Sequence, residues 1–129
     1  DVKIKQISKV NTPFDEFDTV LIQGGNPAES MPNSNSVKAK LKKVKNLIYF
    51  GLYENETSRL ANIIIPAKNF LEKDDLRLSY GHSYVEPMHK IHNSEIGVSE
   101  YDLVAKLYEL KGFGGLKTYQ EYIDMWLEQ

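Results

Sequence analysis

The stretch LIQGGNPAES, residues 21–30, joins the end of an apolar run to two glycines, an asparagine and a proline. Residues 18–23 are rich in aliphatic and β-branched side chains and end in turn residues, which predicts a buried strand. The glycines allow positive φ and let a ligand approach the main chain closely, and Asn26 adds one acceptor and a pair of donors. Two interpretations are open: a tight turn after a strand, or a loop that holds a phosphate or a nucleotide base.

Outward from this stretch, apolar periodicity and turn residues predict alternating strands and helices. Residues 1–17 are polar and mixed, and the alternation of Val2, Ile4 and Ile7 predicts an extended lead-in or a short edge strand. The other predicted elements are a strand at 18–23, a loop at 24–35, a helix over 37–44 capped by Ser34 or Asn35, a strand at 46–52, a short helix at 54–61, a strand at 62–65 ended by Pro66, a loop or hairpin over 70–84, and helices over 98–110 and 119–129.

This order of elements predicts an α/β fold: a Rossmann-like three-layer domain with a mainly parallel sheet flanked by helices. Ligands of such sheets bind beyond the carboxyl ends of the strands. The loop that follows Gln23 leaves the sheet at that edge, which favours the ligand-binding interpretation of residues 24–30.

Composition limits the partners and the kinds of site. The chain has 129 residues, about one domain, and a formal net charge of −2, which does not indicate a nucleic-acid partner. It has no cysteine, which excludes disulfides, thiolate metal sites and Fe–S clusters within this stretch. No apolar run approaches the roughly 18–20 residues needed to cross a bilayer, so no membrane contact is predicted for it. The amino end has neither an initiator Met nor a signal-peptide pattern, which suggests a piece of a longer chain and leaves the compartment undetermined, bacterial cytoplasm or periplasm.

Two other groups of polar residues could form a functional site or could simply be surface residues. His82, His89 and His92 lie within eleven positions, but surface histidines are the stronger interpretation because a metal site needs further well-placed ligands. The run 72–75, EKDD, could supply paired carboxylates for acid–base chemistry, yet acidic residues on a loop are common.

Four short motifs, in order and at matching separations, resemble the molybdopterin oxidoreductase family over residues 18–111. That family includes formate dehydrogenases, periplasmic nitrate reductases, thiosulfate and polysulfide reductases, and sulfoxide reductases. The motifs that carry the resemblance are Gly24-Gly25-Asn26-Pro27, Glu56-Thr57, ANIIIPA at 61–67 and Glu72-Lys73-Asp74. Asn62 stands where the family usually has Asp, and Asp75 where it usually has Gly, which indicates a divergent branch.

The resemblance implies a role in holding a cofactor. Residues 1–129 would form one α/β domain of a much larger catalytic subunit that carries a bis-molybdopterin guanine dinucleotide cofactor with molybdenum or tungsten. Asn26 and Ser30 would hold the guanosine end of one cofactor tail. The cofactor-binding residues that the resemblance implies are Gly24, Gly25, Asn26, Pro27 and Ser30. Near Phe50 and Gly51, where the family often adds a polar contact, this chain has an aromatic residue and a glycine.

The resemblance also implies what lies outside this stretch. The parent enzyme would carry out two-electron redox chemistry at the metal, and an Fe–S cluster could be present elsewhere in it. The partners would be sister domains of the same polypeptide and an electron-transfer subunit, and the fragment alone would catalyse nothing. Two alternatives remain: a non-catalytic scaffold domain, as in complex I-type dehydrogenase subunits, and a free-standing nucleotide-binding module.

Overall fold

The computed structural model describes residues 5–8 and 11–128, which form two compact units, Asp1–Ile65 and Pro66–Gln129. Of the residues whose alternation predicts an edge strand, Val2 and Ile4 lie outside the described residues. Ile7 is in irregular chain and is exposed.

A three-stranded sheet consists of β1 (Thr19–Gln23), β2 (Asn46–Gly51) and β3 (Ile63–Pro66), in the order β1-β2-β3, and all of it except Pro66 belongs to the first unit. β1 and β2 are parallel, with Val20 opposite Leu47 and Ile22 opposite Tyr49. The strands are short and rich in β-branched and aromatic residues, as the sequence predicts. The predicted α/β class, with a mainly parallel sheet flanked by helices, is confirmed.

Two helices connect β1 to β2: α1 (Pro27–Ser30) and α2 (Ser34–Leu41). The prediction of a continuous loop over 24–35 is therefore wrong for α1, where Pro27 occupies a position at the helix start at which its fixed φ and missing N–H cost nothing. The predicted cap of α2 is also displaced, because Asn33, with a φ of 55° in the left-handed region, precedes the first helical residue.

The core of the first unit lies between one face of the sheet and α2. Ile22, Leu47 and Tyr49 point from the strands into this core, where they meet buried Val37 and Leu41. Val44, the last residue of the helix predicted over 37–44, is also buried in this core, although it lies just beyond the end of α2. A single 3-10 turn, Ser58–Leu60, replaces the helix predicted over 54–61, and another, Phe14–Glu16, precedes β1 and buries Phe14.

The second unit contains a hairpin of β4 (Asp75–Ser79) and β5 (His82–Met88), followed by α3 (Glu100–Lys111) and α4 (Tyr119–Leu127). The hairpin confirms the loop-or-hairpin prediction for residues 70–84. Ser99 caps α3 in a reciprocal pair with Asp102, and Gly112 ends the helix at a φ of 67°. Thr118 and Glu121 form the same kind of capping box at the start of α4.

Gly51, at the end of β2, packs against the side chain of buried Tyr49. A methyl group on Gly51 would lie 2.6 Å from the Tyr49 ring, and the ring is held in place by a 2.7 Å hydrogen bond from Asn55 Nδ2 to its hydroxyl.

We expect Gly51→Ala to lower the free energy of unfolding by about 1–3 kcal/mol through overpacking. Chemical denaturation of the purified chain measures this loss. The matched control is Gly114→Ala, where nothing lies within 4 Å of the new methyl group. Equal stability of the two variants would contradict the expected overpacking.

Candidate functional site

The loop after β1 turns sharply at Gly24. Gly24 has a φ of +61°, and its N–H donates to the Phe50 carbonyl at 2.8 Å, which ties the start of the loop to the end of β2. An added Cβ at Gly24 would meet no atom within 4 Å, so the glycine is required by its backbone conformation rather than by lack of space. The loop therefore lies at the carboxyl ends of two neighbouring parallel strands.

The side chain of Asn26 holds this loop to the segment that follows β2. Its Nδ2 donates to Glu56 Oε2 at 2.7 Å. Its Oδ1 accepts from the Thr57 hydroxyl at 2.9 Å and from the Thr57 N–H at 3.2 Å. Since these bonds join residues 30 and 31 positions apart, the motifs GGNP and Glu56-Thr57 form one hydrogen-bonded unit.

Thr57 completes this unit from the other side. It is fully buried, and while its hydroxyl donates to Asn26 it accepts from the Ala28 N–H at 3.0 Å. The Asn55 Oδ1 accepts from the N–H groups of Thr57 and Ser58, which fixes the backbone turn on which Thr57 sits. The hydroxyl of Thr57 thus connects the amide of Asn26 to the first turn of α1.

Ser30 lies at the end of α1, and its hydroxyl donates to the Asn26 carbonyl at 2.8 Å. A hydroxyl oxygen that donates its proton keeps acceptor capacity, and Ser30 is exposed, so its oxygen can still accept from a ligand. The structure therefore places Ser30 beside Asn26, while most of the hydrogen-bonding capacity of the Asn26 side chain is used within the chain.

Backbone donors remain available in the same loop. Among the described residues, no group accepts a hydrogen bond from the N–H groups of Gly25 or Asn26. Both residues are partly exposed. Pro27, which follows them, is buried and starts α1. The loop is thus fixed by the side-chain bonds of Asn26, and it carries two backbone N–H groups for which no described residue supplies an acceptor.

Glu56 gives the site its negative charge. The hydrogen bond from Asn26 lowers the pKa of its carboxyl group, and its own backbone N–H and the nearby Arg59 act in the same direction. The carboxylate is therefore ionised at neutral pH. Its side chain is 39% exposed, so lone pairs of the carboxylate remain accessible beside Asn26.

The other residues that carry a chemical interpretation are not assembled into a site. His89 Nδ1 lies 3.7 Å from Asp74 Oδ1, while His82 and His92 lie elsewhere on the second unit. Within residues 5–8 and 11–128, no group of three or more His, Cys, Asp or Glu side chains is placed to hold a metal ion. Of the acidic run 72–75, Glu72 accepts from the Asn69 N–H and Asp75 pairs with Lys73.

No helix in the described part of the chain has the length and apolar character needed to span a membrane.

Comparison with known proteins identifies the family. The family model described as molybdopterin oxidoreductase matches residues 1–97. The chain belongs to the molybdopterin oxidoreductase family. It is 26% identical to the probable oxidoreductase YyaE of Bacillus subtilis, in an alignment of 133 positions that covers 95% of the chain. Shorter regions match the assimilatory nitrate reductase catalytic subunit of the same species, at 39% identity over 38% of the chain, and a nitrate reductase of Symbiobacterium thermophilum, at 34% over 54%.

These relatives are much longer than the chain. The matched regions cover 19% of YyaE, 7% of the assimilatory nitrate reductase subunit and 9% of the Symbiobacterium enzyme. The chain therefore corresponds to a fifth or less of each relative.

Sequence reasoning from single motifs missed the partners of Asn26. Glu56 and Thr57 carry the family resemblance as a motif, but nothing in their local pattern shows that they hydrogen-bond to a loop 30 residues earlier. The signal that could have found them is topology: the segments that follow two adjacent parallel strands lie at the same sheet edge.

Thr57→Val tests the hydrogen bonds that hold the loop. Valine keeps the shape of threonine but removes the hydroxyl, which leaves the Ala28 N–H without its acceptor and Asn26 Oδ1 with only the backbone N–H of residue 57 as a donor. We therefore expect a loss of about 1–3 kcal/mol in the free energy of unfolding. Thr57→Ser is the matched control, since it keeps the hydroxyl. Denaturant unfolding of both variants measures the difference. A valine variant as stable as the unsubstituted chain would show that these bonds contribute nothing net, and the serine variant gives the separate cost of losing the buried methyl group.

Proposed function

We propose that the loop from Gly24 to Ser30 holds the guanosine end of a molybdopterin guanine dinucleotide tail. The observation that carries the proposal is that Asn26 bonds the loop to Glu56 and Thr57, while no acceptor among the described residues faces the N–H groups of Gly25 and Asn26. Family membership supports a molybdopterin cofactor in the longer protein. The position of the loop at the carboxyl ends of parallel strands agrees with where α/β sheets bind nucleotides.

Each residue of the loop would have a separate task. Gly24 and Gly25 let the tail lie close to the main chain, and the N–H groups of Gly25 and Asn26 donate to its oxygens. Pro27 fixes the exit of the loop. Ser30 offers its oxygen as an acceptor, and Asn26 keeps one amide proton beyond the one given to Glu56.

We also propose Glu56 as a cofactor-binding residue, beside the residues of the loop from Gly24 to Ser30. The Watson–Crick edge of guanine presents N–H donors at N1 and N2, which suit an ionised carboxylate, whereas adenine presents an acceptor at N1. Glu56 is ionised, partly exposed and directly bonded to Asn26. We propose that this carboxylate favours guanine over adenine at the site.

The longer protein would be an oxidoreductase. The bound cofactor, with molybdenum or tungsten, would supply two-electron redox chemistry, and the relatives named as nitrate reductases support this class of reaction. The residues of this chain would bind and orient one tail of the cofactor rather than take part in the redox step. Its partners would be other domains of the same polypeptide and an electron-transfer subunit.

One observation favours the alternative of a scaffold domain without a ligand. The side chain of Asn26 is bonded to Glu56 and Thr57, and these internal bonds are sufficient to fix the shape of the loop. A domain that had lost the nucleotide could retain these bonds for stability alone. A measurement of nucleotide binding distinguishes a cofactor-binding domain from a scaffold domain.

We predict that GDP shifts the backbone amide resonances of residues 24–30 in the purified chain more than ADP does. Two-dimensional NMR titrations with the two nucleotides measure the shifts.

We further expect Glu56→Gln to reduce the preference for GDP, because the glutamine amide has one acceptor oxygen where the carboxylate has two. The matched control is Glu54→Gln, at an exposed glutamate two positions earlier.

Equal shifts with GDP and ADP would remove base recognition from the proposal. No shift with either nucleotide, in a folded chain at millimolar concentrations, would favour the scaffold function. A preference for GDP that survives Glu56→Gln would remove the role of Glu56 alone.

A further inference from the structure

Two cations from different elements lie beside the loop from Gly24 to Ser30. Lys38, on α2, places its ammonium nitrogen 3.3 Å from the carboxylate of Glu29, which belongs to the loop. Arg59, in the 3-10 turn that follows β2, places Nη1 3.5 Å from Oε1 of Glu56. The helix and the turn thus each bring one positive charge to the carboxyl edge of the sheet.

The carboxylate of Glu56 links these cations to the candidate site. Its Oε1 pairs with Arg59, while its Oε2 accepts from Asn26 Nδ2 at 2.7 Å. The hydrogen bond from Asn26 is the largest of the effects that lower the pKa of Glu56, and the positive charges of Arg59 and Lys38 act in the same direction. Both cations therefore act on the group that is bonded to Asn26, next to the two backbone N–H groups for which no described residue supplies an acceptor.

The two ion pairs are weak enough to be exchanged for a ligand. The side chains of Lys38 and Glu29 are 35% and 61% exposed, and those of Arg59 and Glu56 are 65% and 39% exposed. Ion pairs between such exposed side chains contribute about 0–1 kcal/mol, because water screens the charges. A phosphate offers charge-assisted hydrogen bonds instead, and a guanidinium can form two of them in parallel.

We propose that Lys38 and Arg59 bind the phosphate groups of the nucleotide tail, so that the site selects a nucleoside diphosphate over an uncharged nucleoside. The inference rests on the proposed function for the place of the tail at the loop after β1. It adds two side chains, from α2 and from the 3-10 turn, to a site whose other phosphate donors are backbone N–H groups of the loop.

Arg59 would also connect phosphate binding to base recognition. In the chain without a nucleotide it occupies Oε1 of Glu56. When its guanidinium turns to a phosphate, Oε1 is released and can accept from the N–H groups of guanine, while Oε2 keeps its bond to Asn26. A guanosine diphosphate would use both events, whereas guanosine alone would leave Arg59 on Glu56.

A matched pair of cations lies at the opposite edge of the sheet. Lys42 and Lys45 are exposed and lie between the end of α2 and the start of β2. β2 has six residues and is therefore about 20 Å long, which separates its amino end from the candidate site at its carboxyl end. Charges at that distance are largely screened at physiological ionic strength.

Titration with inorganic pyrophosphate, followed by two-dimensional NMR of the folded, purified chain, tests the proposal. We expect pyrophosphate to shift the amide resonances of residues 24–30. Lys38→Gln/Arg59→Gln should weaken the binding of pyrophosphate and of GDP by about tenfold or more, because both lose charge-assisted hydrogen bonds. The affinity for guanosine should not change. The matched control Lys42→Gln/Lys45→Gln removes the same charge and should leave the pyrophosphate affinity within about twofold.

Three results would overturn the proposal. They are the absence of any shift with millimolar pyrophosphate, unchanged pyrophosphate affinity in Lys38→Gln/Arg59→Gln, and equal weakening by the two double variants, which would show a general attraction to positive charge. Arg59→Gln alone, at the more exposed of the two cations, is the second variant if the double variant does not fold, and it should also weaken pyrophosphate binding.

The same titrations separate this inference from guanine recognition, because pyrophosphate carries no base. Pyrophosphate binding that depends on Lys38 and Arg59, together with equal binding of GDP and ADP, would support the phosphate site and remove base recognition. A preference for GDP over ADP, with an affinity that does not depend on Lys38 and Arg59, would keep base recognition and overturn the phosphate site.

Discussion

The hydrogen bonds of the Asn26 side chain are the constraint on which the candidate site depends. An amide whose oxygen accepts from Thr57 and whose nitrogen donates to Glu56 can hold only one position of the loop after β1. The bonds are partly shielded from water, and buried polar groups that lose their partners are costly, so the arrangement resists local opening. The backbone of Gly25 and Asn26 is thereby presented in a fixed geometry.

The core explains why the two ends of this arrangement meet. β1 and β2 are parallel neighbours, and their apolar faces pack with α2, which fixes the two strand ends side by side. Gly24 turns the chain after β1 and bonds to Phe50 at the end of β2. The Asn55–Ser58 turn then places Thr57 beneath Asn26. Burial of ordinary aliphatic residues thus positions a polar site at the sheet edge.

Local patterns were sufficient for most of the fold. The strands at Thr19–Gln23 and Asn46–Gly51 follow from compact apolar runs, and α3 (Glu100–Lys111) overlaps the helix predicted over 98–110. Local patterns failed at two segments. Pro27 starts a short helix inside a predicted loop, and the segment 54–61 contains a single 3-10 turn, Ser58–Leu60, instead of the predicted helix. The pairing of Asn26 with Glu56 and Thr57 could not be predicted from spacing because it is a contact of tertiary structure. The exposure of Val104, Leu107 and Leu110 on α3 could not be predicted either, since the apolar periodicity of a helix is the same whether or not that face is covered.

Metal and nucleotide analysis of the full-length product of the natural gene tests the central claim most directly. The protein is purified from a host that makes the molybdopterin cofactor, and its metal content and the bases released on denaturation are measured by mass spectrometry. Our account predicts molybdenum or tungsten near one atom per chain, with guanine released. A full-length protein that contains neither metal and releases no guanine would contradict it and leave the loop at Gly24–Ser30 as a structural turn.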